Sequence, residues 1–376
     1  MKQKVIICLV LMGILICKAE VHGQEIAQDN LLEQMEFSEI DSTIKELFPE
    51  SKIDFADTVR AIIAGEIEIS ADLVNRLINE QISYAFRANK ETLAHMLVLA
   101  ILAALFTNFS QIFQNKQAGE IGFYVVYMLM LALSIKSFGI AITWAEAGIG
   151  QLISFMKALC PVYFLAVSVA KGSISSVAFY NIALFLIFLI ELLILKILIP
   201  VIQVYIMVRF LDCLSEEEYL SKFSELMETG IGWMLKVLLS LVVGLNGMQG
   251  LIAPAIDSVK RSVVTKGAEA IPGVGDFFGS TVEIVLGTAT LVKNGIGVAG
   301  AVICIGICIV PVTQLGILTI LYKLSAALVQ PVSDKRMVQC ISNMGEGCQL
   351  LLKLTFTIAV LFLLTIAIVA ATTGKA

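Results

Sequence analysis

Charged residues are scarce in this 376-residue chain, because Asp, Glu, Lys and Arg together make up only 15% of it. Soluble domains carry about 25% charged residues. The deficit is matched by 58% apolar residues and a mean hydropathy of +0.90. The apolar residues concentrate in long runs beyond residue 92, which excludes a single soluble domain. The composition predicts an all-α fold, a polytopic bundle of transmembrane helices.

Histidine is nearly absent, and cysteine does not occur in metal-binding patterns. The chain has only His22 and His95, and its eight cysteines include no C-x-x-C pair. Zinc and haem sites are therefore not expected. A P-loop is missing as well, so any work driven by ATP would come from a partner. The net charge is −5, so the charge of the chain does not predict binding to nucleic acid. We expect no catalytic residue, metal or cofactor in this chain.

The first 23 residues have the features of a secretory signal peptide. Lys2 and Lys4 precede an apolar run of thirteen residues, Val5–Cys17. This run is too short to cross a hydrocarbon core of about 30 Å. An uncleaved anchor is the alternative. Either one places the following segment, residues 24–92, outside the cytoplasm.

Residues 24–92 are acidic, with fifteen acidic and six basic side chains. Apolar residues recur at helical spacing up to Pro49 and again from Phe55 to Gly65, and a third helix is predicted after Ser70. A segment of this size buries little core by itself. We therefore expect these helices to pack on each other and on the membrane domain, residues 93–376.

Apolar runs of about 20 residues, the length that spans a bilayer, recur along the membrane domain. Pro200 interrupts the longest run and predicts a kink or a separate re-entrant piece. Counting the runs gives about seven spans. With an outside N-terminus, the connections that hold Lys116 and Lys171 both face the cytoplasm, and Lys335 and Arg336 fall outside. The predicted spans are Leu93–Phe113, Ile121–Ile142, Ile149–Ala170, Phe179–Val208, Ile231–Ile256, Gly295–Leu321 and Leu350–Ala371.

Ionisable side chains inside apolar spans mark functional sites by default, because placing a charge in lipid is expensive. Glu191 and Lys196 lie in the fourth run, and their spacing is poor for a pair within one helix. We expect them to pair with other helices, through Lys157 or Lys136, or to line an ion or substrate path.

The stretch Lys266–Gly300 is the least lipid-like part of the membrane domain, with eight glycines. It predicts either a re-entrant or broken helix, or a cytoplasmic amphipathic helix, Thr281–Lys293, that leads into the sixth span. Its last six residues match G-x-G-x-x-G, but no strand precedes them, so close helix packing is favoured over a nucleotide site. Its candidate pathway or structural charges are Asp276, Glu283 and Lys293.

The order of these features resembles the stage III sporulation protein AE family of endospore-forming bacteria. The likeness runs over essentially the whole chain and is most specific in Lys266–Gly300. It implies a non-enzymatic, membrane-embedded subunit of a channel or secretion-like complex between mother cell and forespore. The residues that carry it include Ile53, Asp54, Phe55, Gly65, Glu66, Gly267, Ile271, Pro272, Gly275, Asp276, Lys293, Asn294 and Gly297.

The resemblance also implies a location and partners. The location is the mother-cell membrane around the forespore, with residues 24–92 in the intermembrane space. The partners are other stage III sporulation membrane proteins, an associated cytoplasmic ATPase and the lipid bilayer, without nucleic acid. No catalytic residue can be carried over from the family. The alternative functions are an autonomous secondary transporter of a small solute and a structural membrane scaffold.

Overall fold

In a computed structural model of the chain, every regular element among the described residues is helical, which confirms the all-α prediction. These residues are 31–47 without 33–34, 54–65, parts of 83–105, 116–213 without 172, 219–268 and 275–372. For some helical stretches, the longest being 245–268 and 275–286, only the backbone is described. The predicted signal peptide, residues 1–23, lies outside this part of the chain. The helices are α1 (Ser38–Leu47), α2 (Phe55–Ala64), α3 (Lys116–Lys171), α4 (Ser173–Leu193), α5 (Ile199–Asp212), α6 (Ser221–Ala268), α7 (Gly275–Val329) and α8 (Lys335–Thr372).

Five apolar stretches in the described residues are long enough to cross a membrane, judged by length and composition. The predicted first span is described only in part, as the short apolar helix Leu93–Leu102. The count of seven spans is therefore not confirmed. The five stretches are Ile121–Ala170, Tyr180–Asp212, Ser221–Gly244, Gly287–Val329 and Lys335–Ala370.

Predicted spans two and three form one helix, α3, which continues through the loop expected around Gly148. The separation of these two spans was wrong. The residues at the expected break, 145–147, read Ala-Glu-Ala and favour helix, so the local drop in hydropathy marks no interruption. Lys116 and Lys171, which the seven-span topology placed on one side, are opposite ends of this 56-residue helix. Those ends lie about 84 Å apart.

Helices α3 and α7 pack side by side and run in opposite directions. Near the C-terminus of α3, Tyr163 lies against Gly297 of α7. In the middle, Gly148 lies against the ring of Pro311. Nearer the N-terminus of α3, Ser137 forms a hydrogen bond with the hydroxyl of Tyr322. These contacts define two ends of the bundle, which we call the Gly297 end and the Arg336 end.

At the Arg336 end, a short turn joins α7 to α8. The carboxylate of Asp334 caps α8 by accepting a 2.9 Å hydrogen bond from the Arg336 backbone N–H. The Arg336 guanidinium lies 4.0 Å above the Phe123 ring of α3, a cation–π contact. Lys335 and Arg336 therefore share an end with Lys116, and their predicted separation onto opposite sides was wrong.

Helices α1 and α2 form a hairpin that belongs to the same apolar core as the long helices. The Phe55 N–H donates to Asp41 Oδ1 at 2.9 Å, and the Phe37 and Phe55 ring centroids lie 5.5 Å apart. Helix α2 begins at a side-chain cap from Asp54 and ends at Gly65, whose φ of 71° is the left-handed conformation that favours glycine. The predicted bounds of α2, and its packing on the membrane domain, are confirmed.

A π-helical turn, Ile194–Leu198, joins α4 to α5 just before Pro200. Proline has no N–H to donate to the carbonyl four residues earlier. The wider turn accommodates this loss, and the Ile199 N–H reaches back to the carbonyl of Ile194. The chain stays helical on both sides of Pro200, so the structure has no separate re-entrant piece there.

Candidate functional site

Glu191 forms an ion pair between helices, as the sequence predicted. Lys157 Nζ of α3 donates to Glu191 Oε2 of α4 at 2.7 Å. The two side chains are 49% and 36% exposed, so the pair lies on the outer surface of the bundle. Lys196 lies in the π-helical turn and is exposed, one turn beyond Glu191 on the same run. The sequence had grouped these two residues together. In the structure, Glu191 is paired with α3, whereas Lys196 is an exposed residue of the π-helical turn.

The stretch Lys266–Gly300 is described in part. Gly267 lies at the end of α6, and Gly275 begins α7. Ile271 and Pro272 fall outside the described residues. Asp276 and Glu283 lie on the α7 backbone, while their side chains are not described. The segment 281–293 is helical and continuous with the sixth predicted span, which agrees with the second sequence interpretation as far as the helix itself is concerned. The cytoplasmic placement of this helix stays a prediction.

The remaining members of the family-like stretch follow one another along α7. Lys293 is fully buried, whereas Asn294 is exposed. Gly295 lies against Ile63 and Val59 of α2, and a Cβ at this position would come within 2.8 Å of Ile63.

The glycines of the G-x-G-x-x-G match are contact points between helices. A Cβ at Gly297 would lie 2.8 Å from the Tyr163 hydroxyl, and a Cβ at Gly300 would lie 2.6 Å from Leu159. The small residues let α3 and α7 approach closely. The interpretation of this motif as close helix packing is confirmed at these positions.

A charged cavity of about 310 Å³ lies between four helices, in the half of the bundle toward the Arg336 end. It takes side chains from near the C-termini of α5 and α7 and from the N-terminal halves of α6 and α8. Its ionisable lining has three basic and two acidic groups. These are Arg209, Lys323 and Lys353, with Glu228 and Glu346.

An ion pair fixes one wall of the cavity. Arg209 Nη2 of α5 donates to Glu346 Oε2 of α8 at 2.6 Å. Glycines on both sides of Glu346 allow this contact, because a Cβ at Gly347 would lie 2.6 Å from Ile206 on α5. Arg209 is also held through its backbone carbonyl, which accepts a 3.2 Å hydrogen bond from the amide of Asn343.

The other walls carry weaker polar contacts. The Tyr205 hydroxyl donates to Glu228 Oε2 at 3.1 Å. Lys323 Nζ donates to the neutral amide oxygen of Gln349. Lys353 lies four residues further along α8 and is exposed. Each carboxylate therefore already accepts from a cavity neighbour, while the two lysines have no carboxylate partner among the ion pairs of the described residues.

Sequence reasoning missed this cluster. Arg209 and Glu346 are 137 residues apart, and each lies at the edge of an apolar run, where charges are ordinary. One local signal was present. The Gly345-Glu346-Gly347 triplet places an acidic residue between two small ones, a pattern that suits close approach by a neighbouring helix.

Cysteine and metal chemistry find no support among the described residues. No group of three or more His, Cys, Asp or Glu side chains there could hold a metal ion. Cys213, beside the Arg209–Glu346 pair, accepts a 3.1 Å contact from Asn343 and is buried. Burial raises the pKa of the Cys213 thiol to about 11, so it is protonated near neutral pH.

Two comparisons with known proteins agree with each other. Residues 53–373 match the family model described as Stage III sporulation protein AE. The chain is also similar to the Stage III sporulation protein AE of Bacillus subtilis (strain 168). The two are 25% identical over 291 residues, which is 76% of this chain and 73% of that relative. No solved structure matches.

Proposed function

The chain belongs to the stage III sporulation protein AE family, and from that premise we propose that it is a non-enzymatic, membrane-embedded subunit of a mother cell–forespore channel complex. The observation that carries the proposal is the family match, which covers residues 53–373 and so includes α2 and all the long helices. Five apolar stretches fit a multi-pass membrane protein.

The length of α3 supports a place inside a larger assembly. Apolar side chains are exposed near both of its ends, at Val125 and Leu129 and again at Leu165 and Val169. Leu129 and Leu165 are 36 positions apart in one helix, or about 54 Å. When a helix is tilted by about 40°, only about 39 Å of its length fits inside a hydrocarbon core that is about 30 Å thick. At least one of these apolar positions lies beyond the acyl chains, which favours contact with protein there.

In the proposed complex, the energy from ATP comes from another subunit. We place the protein in the mother-cell membrane around the forespore, with residues 24–92 in the intermembrane space. Its partners in this proposal are other stage III sporulation membrane proteins and a cytoplasmic ATPase. The ATPase would provide the work, because the sequence contains no P-loop of its own.

Deletion of the gene in its native host tests the proposed role. We expect normal vegetative growth and arrest of sporulation after engulfment, with rescue by the wild-type chain. A growth defect in rich medium would contradict a role confined to sporulation. Affinity purification from sporulating cells tests the partners. Recovery of this chain without other stage III membrane proteins, under conditions that preserve the membrane, would contradict membership of a complex.

Photo-crosslinking tests the cover of α3. A photoreactive residue is placed at Val125 in one variant and at Leu165 in another, and crosslinking is carried out in sporulating cells. We expect a protein adduct from at least one of the two positions. Lipid adducts alone at both positions would contradict the assembly argument.

The charged cavity favours a second candidate, an autonomous secondary transporter, because convergent polar groups between helices are typical of a solute site. Purified protein in sealed vesicles separates the two candidates. Solute flux through this chain alone, abolished by Glu346→Gln, would favour the transporter. Flux that requires added partner proteins would favour the channel subunit.

A further inference from the structure

The charged cavity has the composition of an anion site. Its ionisable lining carries three basic and two acidic side chains, a surplus of one positive charge. Glu346 forms an ion pair with Arg209, with 2.6 Å between Oε2 and Nη2. Glu228 accepts a 3.1 Å hydrogen bond from the Tyr205 hydroxyl. The surplus therefore falls on Lys323 and Lys353, which project from α7 and α8 toward the same space.

The Arg209–Glu346 ion pair lines the same cavity as these two lysines. The Arg209–Glu346 pair is anchored on two helices, and Arg209 is only 22% exposed. Its Nε is buried and has no hydrogen-bond acceptor among the described residues. A guanidinium held by an ion pair, with two ammonium groups beside it, is an arrangement that binds phosphate oxygens. Arginine supplies direction and lysine supplies charge.

The position and size of the cavity restrict the ligand further. Arg209 lies near the end of α5 and Lys323 near the end of α7, whereas Lys353 lies midway along α8. Two of the four helices therefore end beside the cavity, and the ends of apolar spans approach the polar boundary of a bilayer. A volume of about 310 Å³ is at the small end of ligand pockets. It suits a headgroup or a small phosphorylated solute.

We infer that Lys323, Lys353 and Arg209 form a binding site for a phosphate-bearing anion at this end of the bundle. A phosphodiester carries a single negative charge, which matches the surplus of the lining. Basic pockets between membrane helices bind anionic lipid headgroups in this way. The ligand is the phosphate group, supplied either by an anionic phospholipid or by a soluble phosphorylated compound. The site does not depend on the proposed channel role.

The test uses the full chain, purified in a neutral detergent. Phosphatidylglycerol is the lipid probe, phosphatidylcholine is the lipid control, and inorganic phosphate is the soluble probe at constant ionic strength. Binding is followed by native mass spectrometry and by the thermal unfolding midpoint. For a lipid ligand, we expect saturable binding of phosphatidylglycerol that phosphatidylcholine does not reproduce. For a soluble ligand, we expect inorganic phosphate to raise the midpoint saturably and to compete with the lipid.

Variants connect the binding to the cavity. Lys323→Gln and Lys353→Gln should each weaken the binding of the effective probe about fivefold, the worth of one lysine near an anionic group. Lys353→Arg should retain binding. Lys236→Gln is the matched control, because Lys236 is an exposed lysine in an apolar span that does not line the cavity. It should bind as the wild type does.

Two results would overturn the inference. One is equal binding of phosphatidylglycerol and phosphatidylcholine, with no effect of inorganic phosphate, on the wild-type chain. This comparison needs no variant and so stands even where a variant does not fold. The other is unchanged affinity in folded Lys323→Gln and Lys353→Gln proteins, which would assign the binding to another surface.

Discussion

The contact between Gly148 and Pro311 gives a sharp test of the long-helix architecture. In Gly148→Ala, the new Cβ would lie 2.5 Å from Pro311 Cγ and 2.6 Å from Pro311 Cβ. Carbon atoms pack best at about 3.5–4.0 Å. The proline ring is closed onto its own backbone, so it cannot rotate away, and α3 and α7 must move apart. Overpacking of this kind typically costs about 1–3 kcal/mol.

Gly150 supplies a matched control on the same helix. A Cβ at Gly150 would meet nothing within 4 Å. Both Gly→Ala variants gain the helix propensity of alanine, worth about 1 kcal/mol, so the difference between them isolates the overpacking cost. We expect Gly148→Ala to unfold with about 1–3 kcal/mol less free energy than Gly150→Ala.

The measurement is reversible unfolding of the purified full-length protein in mixed micelles, with the free energy compared between the two variants. Equal stability of the two variants would refute the reasoning. It would mean that Gly148 does not face Pro311.

Four further predictions concern charged and ionisable side chains. Glu346→Gln removes the carboxylate from Arg209 and should lower the unfolding free energy by about 1–3 kcal/mol; unchanged stability would show that the pair is not formed. Lys157→Glu and Glu191→Lys should each lower the yield of folded protein, and the double swap should recover it, as measured by size-exclusion chromatography; failure to recover contradicts the pairing. With Cys213 as the sole cysteine, maleimide at pH 7.5 should react only after unfolding, and rapid labelling of folded protein would contradict its burial. Because the pKa of this thiol rises from 9.0 to about 11, its contribution to stability is complete below about pH 9 and is lost as pH rises through 11.

The sequence predicted the helical class, the α2 boundaries and the pairing of Glu191 because each depends on local pattern or on a strong rule about buried charge. Asp54 and Gly65 are local helix signals, and both act as the sequence indicated. The topology could not be predicted in the same way. Counting apolar runs assumes that each run is one span, whereas α3 carries two runs and stays helical through Gly148 between them.

The charged cavity was hidden for a different reason. Arg209 and Glu346 become informative only when α5 and α8 are brought together, and that packing is set by Gly347 against Ile206 and Phe138. The family-like stretch Lys266–Gly300 drew attention because its composition is unusual. Ordinary charges at the ends of apolar runs give no comparable signal in a single sequence.

Because α2 packs directly on Gly295, a displacement of α2 acts directly on α7. The side chains of Val59 and Ile63 rest directly on the glycine, and α7 has no side chain of its own at this contact. Lys293 lies two residues before Gly295 on α7 and is buried. Gly297 lies two residues after Gly295 and contacts Tyr163 of α3. A force applied to α2 would therefore reach the contact between α3 and α7, the two longest of the described helices.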